Sequence, residues 1–198
     1  IICHPDVDGG NRSDALGSAV DLAPTILHLA GVDPDELRDR FDGLGGHSLV
    51  PALDGNPTGR QGVLTAVESV LTLDADFWRA FGQADAPARI QSGELRPDWH
   101  KRGFLRGYTD NRYSFGRYFS PLAPNRPRTV DELLAANDVV LYDRVTDPGE
   151  TRNLATDPTQ RELVATYLAK LEALIDAEIG RDDQPWITEK PLLLGAPK

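Results

Sequence analysis

Leu163, Val164, Tyr167, Leu168, Leu171, Leu174 and Ile175 recur along one side of a helical pattern for about four turns. A helix with so wide an apolar stripe has to be covered, and this requirement constrains the fold more than any other feature of the sequence. Asp157 and Gln160 have capping-box spacing before it, and Pro158 stands at the first helical position, where a missing N–H is harmless. The surface to be covered is supplied upstream. Phe104 to Thr109 and Arg112 to Phe119 alternate as two strands around a turn at Asp110-Asn111. Tyr113, Phe115 and Phe119 share one face of the second strand, with Arg112, Ser114 and Tyr118 on the other. Arg106, Arg112 and Arg117 read as the hairpin's solvent face. Thr129 and Glu132 have capping-box spacing for a short helix, and Val139 to Tyr142 reads as a third strand beside the hairpin.

The first third of the chain has a different texture. Leu22 to Ala30 reads as a short helix, with Asp21 as its cap, Pro24 in its first turn and Gly31 as its left-handed stop. Leu22, Ile26, Leu29 and Ala30 form its expected buried face. Residues 33–62 are rich in Gly, Pro and Asp and read as an irregular connection, with a short helical piece at 35–40. Val63 to Val67 reads as a strand and Asp74 to Phe81 as an aromatic helix, while residues 82–102 read as loop. The expected organisation is the end of an α/β domain (1–61), an antiparallel-sheet-plus-helix module (62–180) and a tail (181–198). Met is absent and the chain opens on Ile1-Ile2, which reads as a cut through the end of a buried strand in a longer protein.

The 198 residues are 40% apolar and 26% charged, an ordinary globular balance, and the formal charge is −10. That excess argues against nucleic acid as a partner, because neutralising phosphates takes a clustered Lys/Arg surplus. No stretch reaches the roughly 20 apolar residues of a membrane span. A single cysteine excludes an internal disulfide. Compartment stays open.

Three segments together resemble the sulfatases of the alkaline-phosphatase superfamily. Val20-Asp21-Leu22-Ala23-Pro24-Thr25-Ile26-Leu27-His28-Leu29-Ala30-Gly31 is close to that family's "VDLAPTLLDLAG" helix. Gly46-His47-Ser48-Leu49-Val50-Pro51-Ala52-Leu53-Asp54-Gly55 resembles its "G-x-SL-x-P-x-L-x-G" element. The run from Leu141 through Asp143, Asp147-Pro148, Glu150 and Asn153-Leu154-Ala155 is similar to its "LYDL-x-x-DP-x-E-x-x-NLA" element. The resemblance spans residues 1 to about 180, with 70–102 matching loosely. It implies the carboxy-terminal part of a hydrolase that cleaves sulfate esters, in which this piece completes the fold and shapes the substrate pocket. For the parent it implies a formylglycine nucleophile made from Cys or Ser, and calcium or another divalent cation held by Asp and Asn. A preceding amino-terminal portion and an anionic small-molecule ester are the implied partners.

The residues themselves carry little of that chemistry, so no catalytic residue and no metal ligand is assigned within this chain. Cys3 sits in Cys3-His4-Pro5-Asp6-Val7, with Asp and Val where the nucleophile motif has Ser and Arg, and reads as a strand residue. His4, His28, His47 and His100 are dispersed, without metal-binding spacing. Asp6 and Asp8 with Gly9-Gly10 read as a turn, and Ser48 lacks a G-x-S-x-G elbow. Residues Arg96-Pro97-Asp98-Trp99-His100-Lys101-Arg102 are the one segment suited to reach an anionic substrate, with His100, Lys101 and Arg102 as candidate contacts. The competing expectation is a solvated loop whose cations pair with neighbouring carboxylates. Other functional expectations are a phosphonate or phosphate ester hydrolase of the same superfamily, and a non-catalytic interaction module.

Overall fold

The computed structural model describes residues 1–33, 36, 40–41, 44–69 and 74–182. Positions 35 and 37–39 of the helical piece expected at 35–40, and residues 183–198 of the expected tail, lie outside these. Four strands, β1 (Val63–Val67), β2 (Phe104–Thr109), β3 (Tyr113–Phe119) and β4 (Asp138–Asp143), form one antiparallel sheet in sequential order. The helices are α1 (Leu22–Leu29), α2 (Val50–Leu53), α3 (Ala75–Phe81), α4 (Ala86–Gln91), α5 (Val130–Ala136) and α6 (Arg161–Glu178).

The hairpin turns at Asp110, whose carboxylate accepts from the backbone N–H of Arg112 and Tyr113 at 2.9 and 2.7 Å. Its register pairs Phe104 with Phe119, Arg106 with Arg117 and Tyr108 with Phe115. Those six residues share one face, and α6 lies across it. Tyr108, Phe115, Leu133, Leu141, Tyr167, Leu168, Leu171 and Ile175 pack into one buried core. Each large apolar side chain so buried contributes roughly 1.5–3 kcal/mol. Tyr167 of α6 meets the rings of Tyr108, Tyr113 and Phe115, and its hydroxyl donates to Asp110.

Local signals positioned most of these elements. Thr129 Oγ1 accepts from Glu132 N–H while Glu132 accepts from Thr129 N–H, so α5 starts with a true capping box. Asp74 caps α3 through the N–H groups of Asp76 and Phe77. At α6 the expected box is replaced by a three-residue 3-10 turn, Pro158–Gln160, in which Asp157 accepts from Thr159. The segment expected to be loop contains α4, whose short Ala-Pro-Ala-Arg run falls below the length at which periodicity is readable.

Gly62, just before β1, has no room for a side chain, since a Cβ there would lie 2.2 Å from the buried Tyr108 ring. Tyr108 cannot give way freely, because its hydroxyl donates to the Gln61 carbonyl at 2.8 Å. Gly62→Ala is expected to destabilise the fold by roughly 1–3 kcal/mol through overpacking, measured as a lowered urea midpoint.

Two expectations are corrected. Residues 1–5 form no strand, and Ile1 is fully exposed. On α1 the packed residues are Pro24 and Thr25, whereas Leu22 and Ile26 are 56% and 64% exposed, with Val20 at 45%. Periodicity identified the apolar side of α1, but within the described residues nothing covers it.

Candidate functional site

Asp21, read as a helix cap, makes no side-chain cap bond to α1. It is fully buried and gathers the first third of the chain instead. Its carboxylate accepts from Ser18 N–H at 2.7 Å, from His47 N–H at 2.8 Å, and from Arg60 Nε and Nη2 at 2.9 and 2.5 Å. Burial alone would raise its pKa, but these hydrogen bonds and the Arg60 charge outweigh that and hold it below the usual carboxylate range. Arg60 continues the chain of contacts to the Gly62 carbonyl and to Glu178 at the end of α6, at 3.2 and 2.6 Å. One arginine therefore joins the first third to the sheet-and-helix module.

The same region explains why the first two motifs have the residues they do. Thr25 Oγ1 donates to Asp21 O and accepts from Leu49 N–H. His28 Nδ1 and Ser48 Oγ lie 2.8 Å apart, and Ser48 Oγ also accepts from Val50 N–H at the start of α2. Gly46 takes a positive φ of 95°, and a Cβ there would sit 2.4 Å from the Val20 carbonyl oxygen. The third motif is equally structural. Asn153 accepts from Leu141 N–H and donates to Val139 O, both at 2.9 Å, pairing backbone groups on the open edge of β4. Asp147 closes its turn on the N–H groups of Thr151 and Arg152 at 2.8 Å.

The loop at 96–102 is organised by Asp74. Its carboxylate, besides capping α3, accepts from Asp98 N–H at 2.9 Å and from Lys101 Nζ at 2.6 Å. The Lys101 bond, with the backbone donors of Asp98 and Phe77, depresses its pKa strongly against the opposing effect of burial. Arg102 pairs with Asp138 at 2.8 Å and donates to Ala135 O. His100 is exposed and its backbone N–H is bound to Asp98. The three candidate contacts are thus adjacent but differently committed: Lys101 and Arg102 hold carboxylates, while the His100 ring has no polar partner among the described residues.

Two arginines read as solvent-facing are corrected. Arg106 and Arg117 are fully buried beneath α6, with Phe119 within 5.4 and 5.3 Å of their guanidinium carbons. Arg106 forks onto Asp182 at 2.9 and 2.6 Å and also contacts Glu68. Arg117 approaches Glu172 and Asp182 at 3.4 and 3.8 Å. Arg112 is half exposed and pairs with Asp143 at 2.8 Å.

Among the described residues, none fits the nucleophile or the cation site that the resemblance implies. Cys3 lies in an exposed segment, with a turn and no helix start behind it. Among the described residues no three His, Cys, Asp or Glu side chains converge to hold a metal ion.

The fold defines an α+β module: four antiparallel strands under a long terminal helix, clasped to an irregular first third. Among solved structures, it is similar over 80% of its length to a 2-O GAG sulfatase, with 22% identity and a TM-score of 0.48, and covers 24% of that chain. It is similar over the same share to a phosphonate monoester hydrolase of Agrobacterium radiobacter, with 24% identity and a TM-score of 0.47, covering 25% of that chain. The chain therefore spans about a quarter of the length of the structures it matches. No protein-family model and no curated protein matches the sequence. None of the helices described is long and apolar enough to cross a membrane.

Proposed function

We propose that this chain is the carboxy-terminal part of a sulfatase-like hydrolase that cleaves sulfate esters, and that it completes the fold and borders the substrate pocket. The observation that carries the reading is the clasp between the first two motifs. Asp21, Thr25 and His28 of one meet His47, Leu49 and Ser48 of the other, so residues matched as text also act as one physical unit. In this reading the formylglycine, the divalent cation and its carboxylate ligands belong to a preceding portion of the polypeptide. The exposed face of Val20, Leu22 and Ile26 meets that portion. Of the loop at 96–102, His100 is the residue left to contact an anionic ester, while Lys101 and Arg102 hold the loop in place.

The test is turnover by the complete polypeptide offered an aryl sulfate, an aryl phosphonate monoester and an aryl phosphate, with its preceding portion examined by mass spectrometry for formylglycine. Sulfate turnover with formylglycine present is expected. Preference for the phosphonate or phosphate with an unmodified Ser or Thr nucleophile would move the protein to the neighbouring activity.

The uncovered face of α1 makes a second expectation. Leu22→Ser together with Ile26→Ser should raise the soluble fraction of the isolated chain, measured by light scattering. Stability should change by less than about 0.5 kcal/mol, because neither side chain is buried. Unchanged aggregation would show that this face is not the adhesive surface.

A further inference from the structure

Polar atoms buried without partners are rare in folded proteins, and each one asks for an occupant. Arg117 Nε, Arg117 Nη1 and Asn137 Oδ1 are such atoms among the described residues. Arg117 Nη2 has the loose approaches to Glu172 and Asp182, and the amide nitrogen of Asn137 is bound to Asn125 Oδ1 and Leu133 O. The register pairs Arg117 with Val139, and Asn137 precedes β4 in extended conformation at φ −131° and ψ 157°. Asn137 therefore falls diagonal to Arg117 on the same face of the sheet, within reach of a long side chain and one bridging molecule.

Three kinds of occupant are conceivable, and the surroundings separate them. A side chain from another molecule is excluded, because Arg117 has no exposed surface. An anion is disfavoured because Arg106, Arg117 and Arg126 already face Glu68, Glu172, Asp176 and Asp182. An anion such as chloride also has no proton for Asn137 Oδ1. Water both accepts and donates.

We propose that Arg117 and Asn137 enclose a buried hydration site, with ordered water accepting from Arg117 Nε and Nη1 and donating to Asn137 Oδ1. At least two molecules are required, since Nε–H leaves the guanidinium on the edge it shares with Nη2 and Nη1 leaves on the other. The site explains how a charged residue sits under a helix with so few direct partners, because bridging water is nearly as good as a direct bond.

A crystal structure of the protein at a resolution that orders interior water tests this. Peaks are expected about 2.7–3.2 Å from Arg117 Nε and from Nη1, one of them also within reach of Asn137 Oδ1. A direct bond from either nitrogen to a protein acceptor, or a peak with the scattering of chloride or sulfate, would overturn the proposal. In solution the Arg117 Nε–H proton should show cross-relaxation to long-lived water in the unaltered protein, and its absence would overturn it equally. The Arg117→Met variant should lose that signal. This last arm supplements the wild-type measurement and does not replace it, since the variant can fail to fold for other reasons.

Discussion

Asp21→Ala is expected to destabilise the fold by about 3–5 kcal/mol, read as a lowered urea midpoint by circular dichroism. The cause is what the substitution leaves behind. Arg60 has a side chain only 1% exposed, and two of its guanidinium nitrogens bind Asp21. Without the carboxylate that charge keeps one partner acid, Glu178, while the N–H groups of Ser18 and His47 lose their acceptor. Replacing both members, Asp21→Leu with Arg60→Met, should lose less than Asp21→Ala alone, because no buried charge is then stranded. A loss below about 1 kcal/mol in the single variant would show that water reaches Arg60 freely, and that the clasp is not what joins the first third to the module.

Asp182→Ala is expected to have a comparable effect, about 3–5 kcal/mol, for the same reason at a second buried pair just beyond the C-terminal end of α6. Arg106 is fully buried and forks onto Asp182, which is itself buried. Its second partner, Glu68, is more exposed and touches only one nitrogen. Arg117 would also lose one of its two neighbouring carboxylates. Chemical denaturation compared with Arg106→Met plus Asp182→Leu separates a stranded charge from lost packing. The double variant should be the more stable of the two.

These sites mark the limit of what local pattern can disclose. The hairpin, the α5 capping box and the apolar stripe of α6 follow from neighbours within a few residues, and they were legible for that reason. Arg117 reads as solvent-facing from its charge, although the two-residue period of β3 puts it on the side of Phe115 and Phe119. What reverses that inference is Glu172 and Asp182, whose bonds to the hairpin span 55 and 76 positions of sequence. Arg60 likewise carries no local signal, since its partners lie 39 and 118 positions away. The motif residues serve the scaffold: Asp147 closes a turn, Asn153 pairs the edge of β4, and Ser48 accepts from Val50 N–H ahead of α2. Asp21 differed because a side chain at the start of a helix can serve the helix or leave it, and the distant His47 N–H and Arg60 guanidinium decide which. At the loop of 96–102 the cluster of cations was visible in the sequence, but the commitment of Lys101 to Asp74 and of Arg102 to Asp138 requires three-dimensional neighbours.

The proposed function puts the chemistry outside these 198 residues. The direct measurement is hydrolysis of an aryl sulfate, with calcium added, by the purified isolated chain. No turnover above the buffer rate is predicted, and sustained turnover that copurifies with the chain would contradict the account.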